Sequence, residues 1–391
     1  MSTRCFIFVI AALLLAVTAR GRVVTGDERV ELWKPLLQGQ RVALLGNHTS
    51  LAGEVHFLDL MLQQGIDVTV IFSPEHGFRG SADAGEHVAS SVDAATGIPI
   101  ASLYDGRRPY PATADMQRFD VLAIDLQDVG TRFYTYYITM LNMMRACADE
   151  HKPVVLLDRP NPNGMYIDGP ILDMSLKSGV GALPIPIVHG MTLGELAQMI
   201  CGEGWLENQR RLDLTVVPCS GYDHSTRYAL PVPPSPNLPT MKAVYLYPSM
   251  CYFEGTVASL GRGTDRPFCI YGHPAIDGDY SFTPRSLPGA KKPPLLGIQC
   301  HGRDLSATPD ASIIDNHINL QYIIDAYRAY HGSEPFFTKF FDLLIGRADV
   351  RPMIEAGKSA AEIKATWAAD VKRFRSLRAK YLLYLDAFTL P

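Results

Sequence analysis

The 391-residue sequence is short of several features that would have named its chemistry at once. It has no Cys-x-x-Cys pair, which argues against a zinc ribbon or a thioredoxin-type redox motif. It has no Gly-x-Gly-x-x-Gly and no Walker loop, so a nucleotide cofactor is not indicated. The Gly-x-Ser-x-Gly elbow of serine hydrolases is missing. So is the helical His-Glu-x-x-His spacing of zinc peptidases. Basic residues are not in excess: the net charge is −4, without the electrostatic footprint of a nucleic-acid binder. There is no internal repeat or low-complexity tract, and after residue 17 no apolar run is long enough to span a bilayer.

What is present is ordinary for a globular enzyme, with 47% hydrophobic and 19% charged residues and length enough for two domains. The N-terminus reads as a targeting segment. Arg4 supplies the positive region, residues 5–17 the apolar region, and Val17-Thr18-Ala19 a small-residue cleavage site. A Sec-type signal peptide over 1–19 implies a periplasmic or secreted protein with no stable membrane insertion. No cysteine follows the apolar region as a lipid attachment point. Six cysteines remain beyond it: Cys147, Cys201, Cys219, Cys251, Cys269 and Cys300. Export permits disulfides. Their spacing assigns no pairs, and several lie in apolar contexts that suit buried thiols.

From residue 41 to about 220 the pattern alternates strand and helix. Strands are predicted at 42–45, 68–72, 99–103, 121–124, 154–157, 185–188 and 214–217, and helices at 56–64, 134–150 and 192–205. Thr192 and Glu195 have capping-box spacing at the start of the last helix. Such alternation predicts an α/β fold with a mainly parallel, doubly wound sheet. The run Pro231-Val232-Pro233-Pro234-Ser235-Pro236-Asn237-Leu238-Pro239 breaks it, as a linker or a strap over the site. Beyond lie irregular β structure at 271–294 and helices at 317–331, 350–356 and 360–383.

Each predicted strand in the first half ends in polar chemistry. The ends read Gly46-Asn47-His48-Thr49, Pro74-Glu75-His76-Gly77-Phe78-Arg79-Gly80, the segment 125–132 with Asp125, Asp128 and Arg132, then Asp158-Arg159-Pro160-Asn161, and His189-Gly190-Met191-Thr192. One such cluster is explained by helix capping. Five on one sheet edge predict a crevice, because ligands of open α/β sheets sit outside the carboxyl ends of the strands. His48, Glu75, His76, Asp125, Asp128, Asp158 and His189 are metal-ligand types, but no pair has a diagnostic spacing. Carboxylates beside amides and aromatics suit glycoside hydrolysis, in which one acid protonates the leaving oxygen. Glu75 is the first candidate for that acid: it follows a strand, precedes a glycine-flanked turn and has Phe78 nearby. Its structural alternative is an ion pair with Arg79.

The segments 74–80, 125–136, 158–169, 233–239, 253–264 and the closing 378–384 resemble the exo-β-N-acetylmuramidase family, glycoside hydrolase family 171. The resemblance covers nearly all of the chain after residue 19. It departs mildly at Ala258-Ser259-Leu260-Gly261, where the family more often has serine and valine before the glycine. It implies a Rossmann-like catalytic domain over residues 20–230, a Pro-rich linker at 231–240 and a smaller mixed α/β domain over 241–391 contributing to a cleft. It also implies release of N-acetylmuramic acid from non-reducing ends of peptidoglycan fragments. The missing ligand spacing and the missing nucleotide loop lead to the separate expectation of no metal and no organic cofactor. Glu75 carries over most directly as a catalytic carboxylate. His76, Asp125, Arg132, Arg159, Asn161 and Arg262 match motif positions, His76 and Asp125 being further catalytic candidates. Asn47, His48, Asp128, Tyr134 and Glu254 complete the expected site. The lactyl carboxylate of the sugar calls for an arginine, with Arg262, Arg132, Arg159 and Arg79 as candidates. Glycines 261 and 263 are expected to let the backbone come close to a ligand. The alternatives are an exo-glycosidase for another amino sugar and a non-catalytic cell-wall sugar-binding protein.

Overall fold

The computed structural model describes residues 21–75, 77–78, 86, 89–103 and 110–386. Its centre is a seven-stranded sheet. The strands are β1 (Arg41–Gly46), β2 (Asp67–Ser73), β3 (Ser91–Val92), β4 (Pro99–Ser102), β5 (Val121–Asp125), β6 (Val154–Leu157) and β7 (Leu214–Val217), in the spatial order β3-β4-β2-β1-β5-β6-β7. All neighbours are parallel except the short edge pair β3/β4. The order reverses between β1 and β5, so their carboxyl ends form a topological switch point.

Side-chain alternation explains why both faces are covered. Val42, Leu44, Val121, Ala123, Val155 and Leu157 face one apolar cluster with Trp33, Leu37, Phe57 and Met61 from α1 (Val30–Leu37) and α2 (Phe57–Gln63). Ala43, Leu45, Leu122, Ile124, Val154 and Leu156 face the other, against α3 (Tyr136–Asp149) and α4 (Leu193–Gly202). The second cluster continues without a break into the C-terminal region through Tyr247, Tyr252, Phe268, Ile323 and Phe341. That region contains α5 (Met241–Met250), a 3-10 turn at Cys251–Gly255 and three antiparallel strands, Ile270–His273, Tyr280–Phe282 and Cys300–Asp304, with the last in the middle. Its helices include α6 (Gln321–Ala329), α7 (Lys339–Ile345), α8 (Val350–Glu355), α9 (Ala360–Ala365) and α10 (Ala368–Arg378).

The sheet strands other than 185–188 are found where the apolar runs place them, and the Thr192–Glu195 capping box forms in full. Residues 185–188 are buried but make no strand. Their carbonyls serve other donors: Ile187 O accepts from the Arg132 backbone, Ile185 O from its guanidinium, and Val188 makes only isolated bridges to Thr131 and Asp168. The predicted helix at 360–383 is two helices, broken at Trp367, whose indole donates to Asp168 Oδ1 at 3.0 Å. The predicted helix at 317–331 is confined to α6, with His317 at φ 56° before it. Cys147, Cys201, Cys219, Cys251, Cys269 and Cys300 are all free thiols. Among the described residues no helix is long and apolar enough to cross a membrane.

Candidate active site

The parallel register brings the polar ends of β1, β2, β5 and β6 to one edge, and much of that polarity is consumed within the protein. Ser50 Oγ donates to Asp125 O at 2.6 Å and accepts from Asn47 N, while Asn47 Oδ1 accepts from the Thr49 hydroxyl. These bonds lock the loop after β1 to the end of β5. Asp125 is fully buried and takes a two-point fork from Arg159, Nε to Oδ1 at 2.5 Å and Nη2 to Oδ2 at 2.9 Å. Arg159 Nη2 also reaches Asp27 Oδ2 at 2.6 Å. Burial pushes the Asp125 carboxyl up to about 7 against the pull of Arg159. Burial works to lower the Arg159 pKa, yet its two carboxylates hold it above the ordinary arginine value.

Arg132 is likewise internal. Its Nη1 donates to Pro170 O and Ile185 O and its Nη2 to Leu344 O and Ile345 O, at 2.7–3.1 Å. Burial pulls its pKa down to about 10. Asn161 donates to Met191 O and accepts from Asn163 N. Gly130, at φ 76°, packs so tightly on Asn161 that a Cβ there would lie 2.1 Å from Oδ1. Asp128 Oδ1 accepts from Gly130 N at 2.7 Å, and burial raises its carboxyl to about 7. His189 is buried with Nδ1 accepting from Met191 N, and burial lowers its pKa to about 3. Asp158 accepts from the hydroxyls of Thr192 and Tyr384.

A cavity of about 880 Å³ opens beside this framework, between the sheet edge and the C-terminal region. Glu75, Tyr134, Thr135 and Tyr136 line it from the first half. Tyr247, Glu254, Arg262, Phe268 and the loop 289–294 line it from the second, with Ser235 and Leu238 of the Pro-rich stretch between. That stretch is a strap. Pro234 O accepts from the Tyr134 and Tyr136 hydroxyls, His48 Nε2 lies 2.9 Å from Pro233 O, and Asn237 donates to Gly289 O. Proline-rich backbone has few donors of its own and offers carbonyls freely, which suits this role.

Glu75 is buried at 9% exposure on the turn after β2, and Thr135 Oγ1 donates to its Oε2 at 2.6 Å. Across the cavity Arg262 donates to Glu254 Oε1 twice, from Nε at 3.1 Å and Nη2 at 2.5 Å. Its guanidinium lies 5.1 Å from the Phe268 ring centroid. Glu254 is delivered by the 3-10 turn, where Gly255 passes against the backbone of Phe341. Gly261 and Gly263 both have positive φ, and what they approach closely is protein instead of the expected ligand. A Cβ at either would strike Ile270 and Arg266 O, or Arg285 O and Pro293.

Of the residues expected at the site, Glu75, Tyr134, Glu254 and Arg262 line the cavity, and His48 holds the strap beside it. Asn47, Asp125, Asp128, Arg132, Arg159 and Asn161 do not line it, and each has side-chain atoms bonded within the framework. His76 and Arg79 lie outside the described residues. Thr135, Tyr136, Tyr247, Phe268, Lys291 and Lys292 line the cavity without having been singled out. Thr135 left no usable signal, because the helix predicted over 134–150 includes it, whereas the helix begins at Tyr136. The contribution from 289–294 is long-range and left none. Among the described residues no three His, Cys, Asp or Glu are grouped to hold a metal.

Residues 42–242 match the family description "Exo-beta-N-acetylmuramidase NamZ, N-terminal", and residues 245–384 match its C-terminal counterpart. Over 387 residues the chain is 37% identical to the peptidoglycan β-N-acetylmuramidase NamZ of Bacillus subtilis, covering 93% of this chain and 92% of that protein. Two crystal structures of DUF1343 family proteins from Bacteroides fragilis superpose on it. One has a TM-score of 0.88 at 55% identity over 94% of this chain and all of that chain, the other 0.73 at 28% over 93% and 99%. The chain thus belongs to the NamZ family of exo-β-N-acetylmuramidases.

Proposed function

We propose that this protein is an exo-β-N-acetylmuramidase that releases N-acetylmuramic acid from the non-reducing ends of peptidoglycan fragments, with Glu75 as general acid. The carrying observation is one cavity that holds the buried Glu75 on one wall and the Glu254–Arg262 pair on the other. Its volume is in the range of small-molecule sites. Tyr134 and Tyr247 bring aromatic edges to the wall, and Lys291 and Lys292 supply positive charge for an anionic sugar. On this reading residues 20–230 form the catalytic domain, 231–240 the strap and 241–391 the auxiliary domain that closes the cleft. Residues 1–19 direct the chain out of the cytoplasm to its cell-wall substrate.

In the reaction, the Glu75 proton passes to the glycosidic oxygen as the bond to the anomeric carbon breaks, and water replaces the leaving group. A chromogenic β-N-acetylmuraminide tests the assignment. Turnover is expected. Turnover of the glucosaminide alone would indicate another amino-sugar hydrolase, and saturable binding without turnover a sugar-binding protein. Glu75→Gln should lower kcat on a disaccharide by roughly 10²–10⁴-fold, and less on a nitrophenyl substrate whose leaving group needs little protonation. Near-normal turnover of the disaccharide by Glu75→Gln would remove it as the acid. Activity is expected to survive exhaustive chelation.

A further inference from the structure

We infer that Glu254 is the second catalytic carboxylate, the fixed anion that meets the positive charge developing on the sugar ring, and that Arg262 positions it. The inference rests on the muramidase reading and adds to it the group opposite Glu75.

The pairing geometry carries the assignment. In the framework Arg159 forks across both oxygens of Asp125. Arg262 places both donors on one oxygen, Oε1 of Glu254. Oε2 accepts no hydrogen bond from a described residue, and the side chain belongs to the cavity wall. That framework pair is also buried, with Arg159 and Asp125 at 2% and 0% side-chain exposure, whereas Arg262 and Glu254 are at 18% and 24%. The other ion pair with both members on the cavity wall, Lys291–Glu86, is far more exposed, at 60% and 41%. Glu254–Arg262 is therefore half-buried, held from one side and open on the other. Phe268 under the guanidinium fixes the arginine in turn. A carboxylate so held costs no reorganisation when charge develops beside it, which is the condition for electrostatic stabilisation of a transition state. The same geometry revises the expectation that Arg262 recognises the lactyl carboxylate with a free fork, since Nε and Nη2 are already given to Glu254.

The test compares Glu254→Gln and Arg262→Lys with wild type on a natural disaccharide and on nitrophenyl muraminide, alongside calorimetric binding of free N-acetylmuramic acid. Charge support at the anomeric centre is needed whatever the leaving group. Glu254→Gln should therefore lower kcat by about 10²-fold or more, equally on both substrates, on the scale of a lost electrostatic group. Its affinity for the free sugar should stay within about threefold, which also shows that the variant is folded. Glu254→Asp, charged but shorter, should recover part of kcat. Arg262→Lys should lower kcat about tenfold with KM and sugar affinity unchanged. Glu254→Gln with kcat within tenfold of wild type would overturn the assignment. Arg262→Lys with raised KM, lost sugar binding and intact kcat would overturn the positioning role and put Arg262 on the substrate. Because Glu75→Gln alone shows leaving-group dependence, failure of Glu75 as acid and failure of Glu254 as anion give different results.

Discussion

The Thr135 hydroxyl donates to Glu75 Oε2 at 2.6 Å, and the two residues come from different elements, Glu75 from the turn after β2 and Thr135 from the position just before α3. The bond fixes the carboxyl against the end of a 14-residue helix, so Glu75 is oriented before substrate arrives.

Removing that hydroxyl should therefore cost catalysis before binding. Thr135→Val keeps the shape and deletes the donor. An ordinary hydrogen bond contributes roughly 0.5–1.5 kcal/mol, so kcat on a disaccharide should fall up to about tenfold, with sugar affinity little changed. Thr135→Ser should stay near wild type. Steady-state kinetics of the two variants decides the matter, and equal rates for valine and serine would show that the bond does not orient the acid.

Arg132 is predicted to act on stability. Its guanidinium satisfies the carbonyls of Leu344 and Ile345 at the end of α7 together with Pro170 and Ile185, joining the two halves of the chain. A cation at a helix C-terminus is favourable by charge as well. Arg132→Met fills the space but strands four carbonyls in the interior, a loss of about 3–5 kcal/mol. Arg132→Lys should recover little, because an ammonium does not reproduce the fork. Urea unfolding should show the midpoint falling in both, and a midpoint unchanged in Arg132→Met would contradict this account.

These two residues show how far the sequence could be read. The buried strands β1, β2, β5, β6 and β7 announce themselves as apolar runs, and runs buried on both faces are the signature of a parallel sheet. Glu75 was legible because it lies directly beyond such a run. Arg132 and Asp125 are as polar, and lie beside the same crevice, yet they face framework partners rather than the cavity. Polarity at a strand end marks the edge where a site is built, but not which side chains turn inward. Residues 185–188 misled for a related reason, since an apolar run records burial and not the partner of its backbone. On the far wall Glu254 and Arg262 were legible only through the family resemblance, and Tyr247, Phe268 and the loop 289–294 were hidden because packing brings them in over more than a hundred residues of separation.

Asp128 should leave a mark on the pH dependence of stability. Burial raises its carboxyl from 3.8 to about 7 in the folded state. The folded protein then binds this proton more tightly than the unfolded chain, so the contribution is complete below pH 3.8 and is lost as pH rises through 7. Asp128→Asn keeps an oxygen for the Gly130 N–H and has no proton to lose. Its unfolding midpoint should vary less than that of wild type between pH 5 and pH 8. Parallel curves for the two proteins would mean that Asp128 is ionised in both states.

The last described residues close the structure on a second buried acid, and a single hydroxyl tests that closure. Tyr384 donates to Asp158 Oδ2 at 2.6 Å and accepts from Cys219 N at 2.8 Å, while Glu195 Oε1 accepts from the backbone of Leu383. Arg378 pairs with Asp386 beside them. Burial raises Asp158 to about 6, and the Tyr384 hydroxyl opposes that rise by stabilising the anion. Tyr384→Phe removes the support from the ionised form alone. With the folded carboxyl moved further up, stability is lost more steeply as pH climbs through 6 and beyond. The deficit of Tyr384→Phe relative to wild type should therefore be small at pH 5 and larger at pH 8, where a bond to a buried anion contributes about 1.5–3 kcal/mol. Thermal unfolding at the two pH values measures it. A deficit of the same size at both would show that the hydroxyl supports packing at the chain end and not the Asp158 charge.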